Sequence, residues 1–188
     1  MRELASLTAQ PLREYAARLH GTLAPDHHIA SPLGAWMLLG LVARAGRLVP
    51  GSAAADAVER ALGCPLEVAA AATETLLRDP HPAVRATAVA WLRHLDSAPA
   101  GIRRYLADLP CESGEMPSQA QADAWAQRVT DGLIERYPAD LDQPPPVTFT
   151  MATALLTRVD RYEPFDAVAQ SELGPGPFAD SLNRAMQA

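Results

Sequence analysis

"HIASPLGAWMLLGLV", residues 28–42, decides the fold. A short extended lead breaks at Ser31-Pro32 into a helix that is apolar on nearly every face. Ser31 serves as N-cap and Pro32 as first helical residue, where the missing N–H is no loss and the fixed φ suits the helix. Leu33, Trp36, Met37, Leu38, Leu39, Leu41 and Val42 spread around more than half the circumference. Such a helix is expected at the centre of a fold, covered on several sides. The other segments must supply that cover.

Before it, Leu12, Tyr15, Ala16, Leu19 and Leu23 recur at spacings of three and four, which predicts a one-faced surface helix over 7–23, ended near Gly21. After it, Ser52 caps a helix running to Leu62, with Gly63 able to close it in the left-handed conformation. Residues 69–77 read as a short fourth helix. The pattern then changes: "AVRATAVAWLRHL", 83–95, is apolar on both alternating faces, as a strand covered on both sides would be, with helix left open by its alanines. "APAGIRRYLADLP" reads as a brief helix ended by Pro110. Ser118 and Gln121 have the spacing of a capping box ahead of Ala122, Trp125, Val129 and Leu133 on one helical face. Gln143 to Pro146 form a rigid turn, and "VTFTMATALLTRV", 147–159, reads as a long strand with Val147, Phe149, Met151, Leu155 and Val159 on one side. Residues 166–188 read as loop, through "LGPGPF", and a weak terminal helix from Ser181.

Composition bounds the function. With 188 residues, 48% hydrophobic and 20% charged, the chain suits one globular domain over 1–188. A formal net charge of −6 argues against nucleic acid and anionic membranes as partners, since both need clustered positive charge. All 16 basic residues are arginine, the mark of a GC-rich genome. The amphipathic first thirty residues lack the apolar stretch of a signal peptide, and no run reaches the ~20 apolar residues of a membrane helix, so a cytoplasmic location is expected. Cys64 and Cys111 are too few for a disulfide framework, and neither has a basic residue within two positions to activate it. Asp26, His27 and His28 lack companions at metal-ligand spacing. His81 and His94 read as structural or solvated, and "GPGPF" as a turn without the strand and helix of a phosphate cradle. Arg103-Arg104 and the Arg158/Arg161 pair read as solvated faces, and Trp36, Trp91 and Trp125 as core anchors. No catalytic residue, metal or cofactor is expected.

The order of segments resembles the amino-terminal half of a serpin, the serine protease inhibitor family, over residues 8–178. "HIASPLGAWMLLGLVARAG" is similar to the strand that turns at Ser-Pro-Leu into that family's buried helix. "AWAQRVTDGLIERY" resembles a second signature, matched by Trp125, Thr130, Gly132 and Ile134. "TALLTRVDRYEPFD" is similar to the third strand of the central sheet with its exit at Pro164 and Phe165. The resemblance implies an α+β, serpin-like fold, helices packed on a mixed or antiparallel sheet. It also implies that the reactive loop and last strands belong to a carboxyl-terminal half with no counterpart before Ala188. Of the family's polar switch cluster, Ser31 matches the first serine, whereas the second serine reads Gly34 and the asparagine reads Thr153. The tryptophan before the exit reads Arg161. The short, non-basic stretch between Gly63 and Val84 implies no glycosaminoglycan site.

Half of such a fold leaves 147–159 as an edge strand, and long apolar edges pair or aggregate. A protein partner or a homo-oligomer is therefore expected along Val147, Phe149, Met151, Thr153, Leu155 and Thr157, with a protease as partner only if a carboxyl-terminal half is supplied. Three functions stand: a non-inhibitory interaction or scaffold module, half of a split or truncated inhibitor, and an enzyme with an unrecognised site in a deep pocket.

Overall fold

In the computed structural model, residues 2–23, 30–44, 51–157, 166–169 and 184–187 are described. The central helix forms as its caps dictate: Ser31 is extended (φ −105°, ψ 98°) and its Oγ accepts from Gly34 N at 3.1 Å, starting α2 at Pro32–Ala43. Trp36, Met37 and Leu41 on it are completely or almost completely buried, each such burial contributing about 1.5–3 kcal/mol. Three helices cover one side: α1 (Arg2–Thr22), α3 (Ala53–Leu62) and α4 (Leu66–Arg78). Trp36 packs with Leu62, Ala69 and Ala72, and its Nε1 donates to Leu62 O at 3.1 Å. Gly40 lets α4 come close, since a Cβ there would meet Ala69 O at 3.1 Å and the side chain of Thr73. Ser52 caps α3 through Ala55 N, and Gly63 closes it at φ 73°. Arg18 donates to Ala61 O at 2.9 Å, fastening α1 to the same corner.

A three-stranded sheet covers the other side, in the order β2-β1-β3. β1 (Val84–Leu92) is central; it runs antiparallel to β3 (Phe149–Thr157) and parallel to β2 (Glu112–Glu115). Its two apolar faces are both used. Ala88 and Ala90 pack with Leu41 of α2 and with Leu106 of α5 (Ala100–Ala107). Val89 and Trp91 pack with Trp125 and Val129 of α6 (Gln119–Val129) and with Tyr137. Strand is thus the correct reading of this stretch as far as Leu92, despite its alanines; His94 (φ 60°) and a 3-10 turn at Leu95–Ser97 follow it. The Ser118/Gln121 capping box is present in both directions, Ser118 N donating to Gln121 Oε1 at 2.9 Å.

Two expectations need correction, and one strand was not anticipated. α6 stops at Val129, because Asp131 (φ 52°) and Gly132 (φ 82°) reverse the chain in the left-handed region; Leu133 falls beyond the helix and is 72% exposed. Residues 184–187 are not helical: β5 (Arg184–Gln187) pairs antiparallel with β4 (Asp166–Ala169), a ladder that overrides local preference where a segment is too short for a helical period. β2 had no sequence signal, since "ESGE" is built of poor strand formers and is set by pairing with β1. The described residues form two compact units, Met1–Thr157 and Arg158–Ala188, the second holding the β4-β5 pair.

Candidate functional site: the open edge of the sheet

The backbone of β3 is divided between two edges. Arg93 N donates to Thr148 O at 2.8 Å, and the register sets Leu92 opposite Phe149. In an antiparallel ladder, hydrogen-bonded and non-bonded pairs alternate. Thr150, Ala152, Ala154 and Leu156 therefore turn their N–H and C=O to β1. Phe149, Met151, Thr153, Leu155 and Thr157 turn theirs to the far edge, where no strand pairs with them among the described residues. The strand has the composition of a central one, FTMATALLT, yet its residues are only half-buried or exposed.

The two outer edges of the sheet are built differently. β2 is four residues long and carries Glu112 and Glu115. Arg128 of α6 grips Glu112 with both terminal nitrogens at 3.0 Å. Glu115 accepts from His94 N at 2.8 Å and Leu95 N at 2.7 Å, and these bonds, Leu95's above all, hold its carboxyl below the usual range. Short, charged strands are how proteins blunt an edge against further pairing. β3 has nine residues, no charge and no proline. It lacks every such device.

The side chains of the outward-facing residues lie on the α2 side of the sheet. Met151 packs with the Leu41 cluster. Thr153 meets the start of α2: a Cβ on Gly34 would lie 2.8 Å from Thr153 Oγ1 and 3.2 Å from Ser31 Oγ. The structure thus brings Ser31, Gly34 and Thr153 together, and Gly34 is the residue that leaves room for the Thr153 hydroxyl. Phe149 is 43% exposed and lines a cavity of about 440 Å³ with Leu92, Ile102, Tyr105 and Leu106. Val147 departs from the expectation. It precedes the strand and packs on the opposite face, against the Trp91, Trp125 and Tyr137 cluster, where its carbonyl accepts from Arg93 Nε at 3.0 Å. The Arg93 side chain, and not the ladder, thus holds the carbonyl of residue 147. The cavity was invisible in the sequence, since its walls come from separated segments whose only shared mark is an apolar side chain.

No cluster that could hold a metal ion is present among the described residues. His81 Nδ1 accepts from Ala83 N at 3.2 Å, a turn contact, and His94 takes the left-handed conformation at φ 60°. Burial, then Glu112, pushes the Cys111 thiol up to about 11, and burial with Glu59 and Glu67 raises Cys64, so both stay protonated near neutral pH. Tyr105 is pushed up to about 12, chiefly by burial, and its hydroxyl donates to Leu41 O at 3.1 Å. Asp26, His27, His28, Val159, Arg158, Arg161, Pro164, Phe165 and "GPGPF" lie outside the described residues. No described helix is long and apolar enough to cross a membrane.

These elements, in this order and with this sheet, define a serpin fold of α+β class over about half its length. Among solved structures the chain is similar to Arabidopsis AtSerpin1 in its native stressed conformation, at 20% identity and a TM-score of 0.57, covering 88% of this chain and 46% of that one. Human thyroxine-binding globulin in complex with thyroxine matches at 15% identity and a TM-score of 0.62, over 87% and 47%. Cleaved lamprey angiotensinogen matches at 16% and 0.60, over 98% and 56%. No family model and no curated protein matches the sequence. The likeness is one of fold, and the chain spans about half the length of the serpins it matches.

Proposed function

We propose that this chain is a serpin-like protein-interaction module that works by binding rather than catalysis, taking an extended polypeptide segment along the open edge of β3. The observation that carries this is the contrast between the two outer strands: β2 short and doubly acidic, β3 long, apolar and unguarded. Strand addition draws affinity from main-chain hydrogen bonds, and Phe149, Met151, Thr153, Leu155 and Thr157 offer theirs in register. The segment added is that of another protein or of a second copy. A second reading, half of a protease inhibitor completed by a carboxyl-terminal part, is favoured by the share of each serpin that the chain covers, 46% for AtSerpin1.

Light scattering on the purified chain, across concentration and after adding co-purifying protein, tests the proposal. The expected mass exceeds the single-chain 20.1 kDa once a partner or a second copy is available. The same samples, incubated with trypsin, should show no detergent-resistant adduct. A mass of 20.1 kDa under every condition contradicts the module reading, and a covalent adduct replaces it with the inhibitor reading.

A further inference from the structure

The cavity of about 440 Å³ is built almost wholly from one stretch of chain: apart from Phe149, its walls come from the end of β1, the turn at 93–98 and α5. A volume of that order is that of a small-molecule site. Tyr105 and Phe149 supply two aromatic rings, and Leu92, Pro99, Ile102 and Leu106 supply apolar side chains. The polar groups of the walls are spent inside the protein. The Tyr105 hydroxyl donates to Leu41 O at 3.1 Å, and Ser97 donates to His94 O through both its N–H at 3.1 Å and its Oγ at 2.9 Å. Ile102 N donates to Pro99 O at 2.8 Å, and Ala98 O accepts from Arg103 Nη1 at 2.9 Å. Arg93 divides its guanidinium between Val147 O and Leu141 O, both at 3.0 Å, with Asp142 at 3.7 Å. His94 gives its N–H to Glu115 and has its ring within electrostatic reach of that carboxylate. Both cationic residues of the lining therefore already have an acidic neighbour. Water in such a space finds few partners, and an apolar body that replaces it gains free energy.

We infer that the cavity binds a neutral, ring-bearing apolar molecule against Tyr105 and Phe149, selected by shape and by the absence of charge. This is a second site, independent of polypeptide capture along β3. The two rings favour an aromatic occupant, since offset and edge-to-face contacts add to the area buried. A fatty acid or other anionic amphiphile does not fit, because its charged end would enter walls that offer no free cation, and a charge buried without a partner is costly. A peptide does not fit either: its N–H and C=O groups would lie against walls whose own donors and acceptors are already engaged.

The test uses the full chain and two fluorescent dyes of one skeleton, neutral N-phenylnaphthylamine and its anionic sulfonate. The neutral dye should saturate at one per chain with a Kd of about 1–100 μM, the range open to an apolar ligand of that size. The sulfonate should bind about 10-fold more weakly or worse. Ala98→Phe and Ile102→Phe fill the space from two different walls, and each should weaken the neutral dye about 10-fold or more while keeping a cooperative unfolding transition. In the parent chain, which needs no variant to fold, saturation with the neutral dye should slow amide exchange at Ile102, Tyr105 and Leu106. Equal or tighter binding of the sulfonate, or unchanged affinity in both filled variants, would overturn the inference. So would a lack of saturable binding, or slowed exchange confined to β3, which would place the dye at the open edge instead.

Discussion

Leu155→Pro is expected to abolish capture of an added strand while the sheet stays folded, and Ala154→Pro, one residue earlier, to destabilise the sheet itself. The difference follows from the alternation along β3. The N–H of Leu155 faces the open edge, so proline there deletes a donor that the isolated chain does not use and places its ring in the path of an incoming strand. The N–H of Ala154 faces Thr87 of β1, the central strand, and proline at that position removes a ladder bond and leaves its partner unpaired, at a cost of about 1–3 kcal/mol. Leu155→Pro should keep a cooperative unfolding transition while the assembled species disappears from light scattering. Ala154→Pro should lower the melting temperature by several degrees, at about 2–4 °C for each kcal/mol lost in a domain of this size. An unaltered assembly in Leu155→Pro would mean that β3 does not pair through that edge.

The second large effect belongs to the face of the sheet opposite α2. Trp125 of α6 meets Trp91 of β1 edge to face, with centroids 5.5 Å apart and planes at 77°, and Tyr137 completes the group at 6.2 Å from Trp125 and 5.5 Å from Trp91. Trp125→Ala removes the contact through which α6 covers the sheet and should cost about 3–5 kcal/mol in urea unfolding. Its Nε1 is buried without a hydrogen-bond partner. Trp125→Phe deletes that unsatisfied donor along with part of the ring, and because an orphaned donor costs about 1–3 kcal/mol the net loss should fall to about 2 kcal/mol or less. A Trp125→Ala change within 1 kcal/mol of the parent would mean that α6 is held by its ion pairs, Arg128 with Glu112 and Arg85 with Asp131, instead. Exposed pairs of that kind contribute about 0–1 kcal/mol, too little for the task.

What could be read from the sequence was what local physics decides. Ser31, Ser52 and Ser118 cap the helices they were expected to cap, and Gly63 closes α3, because caps are set within four residues. The buried tryptophans Trp36, Trp91 and Trp125 announced themselves by the apolar faces on which they recur. What escaped was decided by distant pairing. β2 and β5 exist because β1 and β4 are beside them, and neither segment carries a period of its own. Val147 looked like the first residue of β3, but it packs on the other face, its carbonyl bonded by Arg93, far away in sequence. Of the site, the outward residues Phe149 to Thr157 were legible as a strand of alternate period. The meeting of Ser31, Gly34 and Thr153 came from the family resemblance, and the geometry at Gly34 gives it a physical form. The cavity under Phe149 had no signal at all.

Residue-resolved amide exchange along β3, in the monomer and after strand capture, tests the central claim most directly. The account predicts that in the monomer Thr150, Ala152, Ala154 and Leu156 exchange slowly while Phe149, Met151, Thr153, Leu155 and Thr157 exchange fast, and that the second set alone slows on capture. Protection of both sets in a stable monomer would show that the edge is already paired within the chain, and the interaction site proposed here would not exist.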